Sequence, residues 1–140
     1  GANLREAKLY KAYLTYAILC EACPIGADLR DANLGDSDLR GANLSRANVS
    51  RANFRRANLE AANLEGVVLR KVALVRANLT GANLKGANLE GANLKWSVLR
   101  KANLMNANLS SVNLIWAKYD KSTKWPEGFD PQTAGAILVE

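Results

Sequence analysis

Cysteine and basic side chains are the residues of this 140-residue chain whose types and spacing could do chemistry. Cys20 and Cys23 are its only thiols and form a C-x-x-C pair, which can close a disulfide or act as a redox pair. Two thiolates fall short of the four ligands that a structural zinc site requires. The pair therefore has two interpretations: reduced cysteines on the surface, or a disulfide between Cys20 and Cys23.

No arrangement of side chains in the sequence points to catalysis. The chain has no histidine, and so it lacks the most common general base and metal ligand. It has no glycine-rich phosphate loop at a strand-to-helix junction, and no carboxylate pair is distinguished by its spacing. The sequence predicts a protein that is not an enzyme and that uses no cofactor and no metal.

The basic residues lie in a sequence repeat with a period of five residues, and this repeat must determine where they are positioned. Residues 76–95 read RANLTGANLKGANLEGANLK, and the same register holds from Ala2 to Ala117, which gives twenty-four units. Alanine at the first position and leucine at the third lie on one side of an extended segment and read as a core. Asparagine between them can bond to backbone in a turn, and glycines such as Gly86 suit a corner with positive φ. Each unit is therefore predicted to be a very short strand followed by a corner.

This pattern resembles the pentapeptide repeat family, whose motif is A(N/D)LXX, over about 115 of the 140 residues. The segment YDKSTKWPEGFDP at residues 119–131 resembles the closing segment of cyanobacterial members. The resemblance implies an all-β fold, a right-handed quadrilateral β-helix, with four units per coil and a C-terminal cap. We therefore expect a solenoid of about six coils, roughly 29 Å tall at the usual strand spacing. Each inward residue would stack on the residue twenty positions away, as in the column Leu14, Leu34, Phe54, Leu74, Leu94 and Leu114.

Two parts are expected: a repeat domain over residues 1–119 and a capping tail over residues 120–140. Open coil ends expose backbone groups and apolar side chains, so a solenoid needs caps. We also expect a short helix over residues 131–136, with Asp130 as its N-cap. The apolar residues expected to form the lid are Trp125, Phe129, Ile137, Leu138 and Val139.

Residues 1–25 allow two interpretations. Residues 5–23 keep alanine and leucine in register, but they lack glycine and also read as an amphipathic helix, so a helical cap is the alternative to repeats. As repeats, they would place Pro24 at a core leucine position, where the backbone pairing between coils would be missing or distorted. Their outward apolar side chains would then indicate an end that is buried against a missing cap or against a second copy, giving a homodimer through a coil end. These outward residues are Tyr10, Tyr13, Tyr16, Ile18 and Ile25.

The net charge of +6 is distributed unevenly over the four predicted walls. We number the walls by their first units, so that the first wall begins at Ala2, the second at Ala7, the third at Ala12 and the fourth at Ala17. The second and third walls each carry about +3, and the other two about +1 each. Trp96 belongs to the third wall. The candidate interaction surface comprises Arg51, Arg55, Arg56, Arg70, Lys71, Arg76, Trp96 and Trp116.

Two functions are compatible with this surface. The first is a protein-interaction or scaffold module, and the second is binding of nucleic acid or another polyanion through phosphate contacts. The charges also suit a face that only confers solubility. Trp96 and Trp116 are expected to stack in one column next to Arg76, either as a binding platform or beneath the C-terminal tail. The resemblance also implies DNA mimicry, by which some members modulate type II topoisomerases, but that role requires an acidic surface.

The expected location is the cytoplasm, and no apolar run approaches the roughly 18 residues of a membrane span, so no membrane insertion is expected. The chain begins with Gly1 rather than methionine. A trimmed N terminus would be compatible with direction to the periplasm or to the thylakoid lumen.

Overall fold

The walls of the molecule are built from parallel bridges between residues twenty positions apart. In the computed structural model, which describes residues 2–140, Asn58 bridges Asn78 and Asn78 bridges Val98. The N–H of Leu59 donates to Asn78 O at 2.7 Å, and the N–H of Asn78 donates to Ala57 O at 3.0 Å. Four five-residue units therefore complete one coil. The predicted right-handed quadrilateral β-helix is confirmed.

In the first twenty-three units, which end at Glu6 to Trp116, the corner is made by a residue in the left-handed conformation at the fifth position of the unit. Gly86 has φ of +65°, as the sequence predicts, but Arg56 at +58° and Trp96 at +59° adopt the same conformation. Two hydrogen bonds hold the corner after Leu59. The N–H of Ala62 donates to Leu59 O at 3.0 Å, and the Asn58 side-chain oxygen accepts the N–H of Glu60 at 3.2 Å. The fifth side chains of successive coils therefore project outward in vertical columns.

The axis is filled by the third-position side chains, which stack in columns along the tower. Leu34, Phe54, Leu74 and Leu94 form one such column, and each is at most 1% exposed. Fully burying a side chain of this size contributes roughly 1.5–3 kcal/mol. The first position stays small, and Ala57 is completely buried. Leucine and phenylalanine burial therefore drives the fold, as the repeat predicts.

The first coil has the same bonding as the later ones. Lys8 bridges Asp28 and Ile18 bridges Asp38, and no part of residues 5–23 is helical. Pro24 is buried at a third position, where the other units use a backbone N–H to pair with the next coil. Proline lacks that donor, and Cys23 and Asn43 accordingly form no bridge. The distorted step predicted at Pro24 is therefore a single missing pairing within an otherwise regular wall.

The C-terminal tail makes one further, irregular coil over the end of the tower. It begins after β1 (Lys118–Tyr119) and ends with β2 (Ile137–Leu138), and the two strands pair in parallel. On the first wall, the N–H of Lys124 donates to Ala102 O at 2.9 Å. On the third wall, Gly135 O accepts the N–H of Trp116 at 2.9 Å. The tail thus takes up hydrogen-bonding groups that the last regular coil presents.

The lid differs in part from the expectation. Trp125 stacks on Phe129 and meets Tyr119 edge-on, with ring centroids 5.4 Å apart in both pairs. Trp125 and Phe129 pack against the core, but Ile137 and Leu138 keep 38% and 43% of their surface exposed. These two residues cap through their backbone more than through their side chains, because as β2 they continue the ladder of the fourth wall.

The helix expected over residues 131–136 is wrong. These residues form hydrogen-bonded turns, and Gly135 has φ of +90°, which is incompatible with a continuing helix. Asp130 still fills the predicted capping role, because its carboxylate accepts the N–H groups of Gln132 and Thr133.

Candidate interaction surface on the third wall

The outer surface of the third wall carries a vertical column of fifth-position side chains. Since their backbone conformation is the same and the coils are stacked, neighbours in this column lie one coil apart. Aromatic residues occupy its two ends and charged residues its middle. In order along the tower the column reads Tyr16, Asp36, Arg56, Arg76, Trp96 and Trp116.

Trp96 is the point at which the basic and aromatic parts of this column meet. The guanidinium carbon of Arg76 lies 5.2 Å from its ring centroid, and Lys95 Nζ lies 4.2 Å from it. Both distances are within the range of cation–π attraction. The indole therefore fixes two cations at the surface while remaining 43% exposed.

The expected stacking of Trp96 on Trp116 does not occur. Among residues 2–140, the paired aromatic rings are those of Tyr119, Trp125 and Phe129. The ring of Trp96 is instead occupied by Arg76 and Lys95, which explains why it does not stack on Trp116. The tail contacts Trp116 by accepting its backbone N–H at Gly135 O, and it leaves Trp116 53% exposed. Both tryptophans therefore present apolar surface to solvent.

A depression of about 460 Å³ lies beside this column. Gly35 and Val75 line it, at the fourth position where neighbouring coils carry Arg55 and Lys95. The surface is low at Gly35 because it has no side chain, and a Cβ atom there would come within 3.3 Å of the side-chain oxygen of Asn33. Val75 is only 9% exposed. The other lining residues are Thr15, Tyr16, Asn33, Asp36, Asn53, Arg55, Arg56, Arg76 and Trp96.

The charges around the depression are only partly compensated. Arg56 donates two hydrogen bonds to the Asp36 carboxylate, at 2.7 and 2.8 Å, and this contact lowers the pKa of Asp36. Within the described part of the chain, Arg55, Arg76 and Lys95 have no carboxylate partner. Three cations at or beside this site therefore have no carboxylate partner of their own, since the one acid in the lining, Asp36, is bound by Arg56.

The second wall carries a similar net charge, but its arginines are paired. Arg51 binds Asp31 at 2.8 Å, which lowers the pKa of Asp31, and Arg70 binds Glu90 at 3.0 Å. Arg30 binds Asp28 at 2.6 Å in the same way. A smaller depression of about 250 Å³ lies among Arg30, Ser50, Arg51, Arg70 and Lys71. Equal wall charges thus conceal different arrangements: Arg30, Arg51 and Arg70 on the second wall are all ion-paired, whereas on the third wall only Arg56 is, and Arg55 and Arg76 have no carboxylate partner within residues 2–140.

The predicted surface residues accordingly divide into three groups. Arg55, Arg56, Arg76 and Trp96 line the depression on the third wall. Arg51, Arg70 and Lys71 line the separate depression on the second wall, and Trp116 lies at the C-terminal end of the third wall. Sequence reasoning missed Tyr16, Gly35 and Val75. A signal was present at Gly35, which is the one glycine at the fourth position of any of the twenty-four units.

The cysteines lie away from this surface. Both are thiols in the structure, and the Cys20–Cys23 disulfide stays a prediction. Cys20 Sγ lies 4.0 Å from Asp38 O and 3.8 Å from a guanidinium nitrogen of Arg40. Arg40 is the main cause of a pKa of Asp38 well below its usual range, and the Cys20 thiol adds to the effect.

The described residues contain no cluster of three or more side chains of the kind that holds a metal ion. None of them belongs to a helix of the length and apolarity needed to cross a membrane.

Comparison with known proteins identifies the repeat. The family model described as pentapeptide repeats matches eight copies, over residues 25–60, 57–95 and 87–118. No curated protein sequence matched the chain. Among solved structures, the chain is similar to the pentapeptide repeat protein Rfr23 from the cyanobacterium Cyanothece 51142, at 40% identity and a TM-score of 0.66. That match covers 66% of this chain and 63% of the Rfr23 chain.

A plant protein gives a similar match. A pentapeptide repeat protein from the Arabidopsis thaliana thylakoid lumen is 26% identical, with a TM-score of 0.68 over 69% of this chain and 68% of its own. The repeat model, the register of twenty and the two structural relatives agree. The chain belongs to the pentapeptide repeat family.

Proposed function

We propose that this protein is a non-enzymatic interaction module that presents its third wall to a protein partner. The observation that carries the proposal is the combination, on one rigid wall, of two exposed tryptophans with three cations that lack acidic partners. Tryptophan and arginine are the residues that most often dominate the binding energy of protein interfaces. A partner with a complementary acidic and apolar surface would bind here.

The fold supports this use of the wall. The backbone of the third wall is hydrogen-bonded between successive coils, so little backbone order must be gained on binding. Its outward residues come from six successive coils and form a continuous strip. A rigid strip of this kind suits a scaffold, which binds a partner without changing its own shape.

The experiment is capture of the partner from the native cell, followed by binding measurements with the purified pair. Replacing Trp96 and Trp116 together by alanine should weaken binding at least tenfold, because the exposed apolar area of the third wall is lost. The matched control is Met105→Ala on the first wall, which removes another exposed apolar side chain. A partner that binds the double variant as tightly as the wild type would overturn the assignment to the third wall.

A second candidate function is binding of nucleic acid or another polyanion by the basic walls. The observation in its favour is the convergence of Arg30, Arg51, Arg70 and Lys71 around one depression of the second wall. The ion pairs of three of these residues count against it, because each pair must be exchanged for a phosphate contact. A salt titration of binding to duplex DNA tests it. If phosphate contacts are made here, the affinity should fall steeply with rising salt and with Arg70→Glu plus Lys71→Glu on the second wall.

DNA mimicry stays the least favoured alternative, because it needs a wall of acidic character and no wall here has one. A cytoplasmic location likewise stays a prediction. The similarity to a protein of the Arabidopsis thylakoid lumen is compatible with the alternative of a lumenal location.

A further inference from the structure

We propose that the depression on the third wall is a subsite for a glutamate or aspartate side chain within an acidic peptide segment of the partner. The inference rests on the proposed function and names the chemistry that the third wall would recognise. Four observations support it: the charges around the depression, its shape, its apolar edges and the state of the Trp96 ring.

The charges leave two guanidinium groups available for an incoming anion. Arg56 is already bound by Asp36 through two hydrogen bonds. Arg55 and Arg76 line the same depression and form no ion pair within residues 2–140. Because a guanidinium group can donate two parallel hydrogen bonds to a carboxylate, either arginine can bind such a group in a defined orientation.

The shape of the wall leaves space where these charges are. The fourth-position column would carry side chains outward from every coil, but Gly35 contributes none and Val75 is short and largely buried. Arg55 lies between these two residues in the column, and Lys95 follows Val75. The low surface at Val75 therefore lies between two cations, so a side chain entering there would meet positive charge from above and below, while Gly35 extends the low surface on the other side of Arg55.

The edges of the depression favour a peptide over a bare inorganic anion. Val75, Tyr16 and Trp96 supply apolar surface beside the cations. A glutamate side chain can place its methylene groups against that surface while its carboxylate reaches an arginine. Inorganic phosphate can use the arginines alone.

The ring of Trp96 disfavours a nucleobase as the occupant. Stacking platforms for single-stranded nucleic acid present a free aromatic face. Here two cations, from Arg76 and Lys95, already lie within cation–π range of the indole. A base could stack only by displacing them, whereas a carboxylate would bind the same cations without disturbing the ring.

The test measures binding of a fluorescein-labelled hexaglutamate peptide to the whole protein by anisotropy, in 150 mM salt. Wild-type protein should bind this peptide and should not bind hexaglutamine. Arg55→Gln combined with Arg76→Gln should weaken binding at least tenfold. The charge-matched control is Arg46→Gln combined with Lys85→Gln, on the first wall, which should change binding less than twofold.

A second variant tests the shape of the site without altering its charge. Gly35→Gln fills the depression and should also weaken binding at least tenfold, with circular dichroism and the melting temperature confirming that the β-helix is intact. Hexaglutamate binding that is equal in wild type and in the Arg55–Arg76 double variant would overturn the proposal. Tighter binding of a twelve-nucleotide oligothymidylate, or competition by equimolar inorganic phosphate, would also overturn it.

The same variants separate this inference from the proposed function. A captured protein partner whose binding is lost with the two tryptophans but retained with Arg55→Gln and Arg76→Gln would support the interaction module and reject the subsite. A partner that ignores the third wall, together with hexaglutamate binding that needs both arginines, would reject the proposed function and support the subsite.

Discussion

Arg76 lies over the ring of Trp96, twenty residues further along the chain, with its guanidinium carbon 5.2 Å from the ring centroid. The two residues occupy the same position in adjacent coils of one wall, and both have φ near +60°. The contact therefore follows directly from the stacking of identical corners. It joins an otherwise unpaired cation to an exposed aromatic ring at the centre of the candidate interaction surface.

This contact predicts a measurable coupling between the two residues. In a double-mutant cycle of Arg76→Gln and Trp96→Leu, the free energies of unfolding should be non-additive by about 0.5–1 kcal/mol, which is typical of an exposed cation–π pair. Urea denaturation of the four proteins measures it. The cycle of Arg76→Gln with Trp116→Leu is the control and should be additive, since Trp116 lies two coils from Arg76.

The corners predict opposite effects for two matched substitutions. Gly86→Ala should destabilise the protein by about 1 kcal/mol, because at positive φ the Cβ atom of alanine lies too close to the carbonyl oxygen that follows it. No atom lies within 4 Å of the Cβ position at Gly86, so the cost is confined to the backbone. Ala61 has φ of +55° at an equivalent corner, and Ala61→Gly should stabilise the protein by several tenths of a kcal/mol. Equal and same-signed changes in melting temperature would contradict this account of the corners.

The core predicts severe destabilisation when a third-position leucine is removed. Leu84 is completely buried, so Leu84→Ala should cost about 2–5 kcal/mol by lost burial and a residual cavity. Leu84→Asp buries an unpaired charge and should unfold the middle coils. Circular dichroism and thermal melting measure both. Lys85→Ala at the next, outward position is the control, and melting of Leu84→Asp like the wild type would show that this side chain does not face inward.

The aspartate ion pairs predict a loss of stability in acid. Arg51 and Arg56 hold the pKa values of Asp31 and Asp36 below those of the unfolded chain, where aspartate titrates at about 3.9. Their contribution is therefore present above that value and is lost as the pH falls through the lower folded pKa. The melting temperature should be steady between about pH 7 and pH 5 and fall below about pH 4. Asp36→Asn should reduce the difference between pH 7 and pH 3, whereas Glu127→Gln in the tail should not.

The exposed apolar side chains of the first coil predict self-association. Tyr13 is 91% exposed and Ile18 is 83% exposed, in the coil that is farthest from the capping tail. We expect a concentration-dependent dimer in sedimentation equilibrium, weakened by Ile18→Glu. Ile115→Glu, at the other end of the tower, is the control. A monomer at all concentrations up to about 1 mM, which corresponds to about 4 kcal/mol of association free energy, would rule this dimer out.

The five-residue register allowed the fold to be predicted in detail. Alanine and leucine two residues apart defined the interior, and the register of twenty placed Phe54 between Leu34 and Leu74, where it is buried. The same register places Asp36 below Arg56, so that ion pair could have been predicted from the column alone. Summing charges over a wall discarded this information, and for that reason the second and third walls looked alike in the sequence.

Features outside the register were less predictable. The orientation of the Trp96 ring depends on which neighbouring side chain reaches it. One of these neighbours, Lys95, is the preceding residue in the same corner as Trp96 and does not belong to the column of fifth-position side chains. In the tail, Pro131 and Asp130 resemble the start of a helix, but Gly135 at positive φ ends the turn at once. The division of the chain into a repeat domain over residues 1–119 and a capping tail over residues 120–140 stays a prediction.

The irregular last coil gives the molecule a direction. Its backbone occupies hydrogen-bonding groups of the last regular coil on three of the four walls, through Lys124 on the first, Gly135 on the third and Ile137 on the fourth. A second copy that stacked its coils in register on this end would have to displace those bonds. The cap therefore opposes growth of a filament through the C-terminal end, in addition to protecting the core.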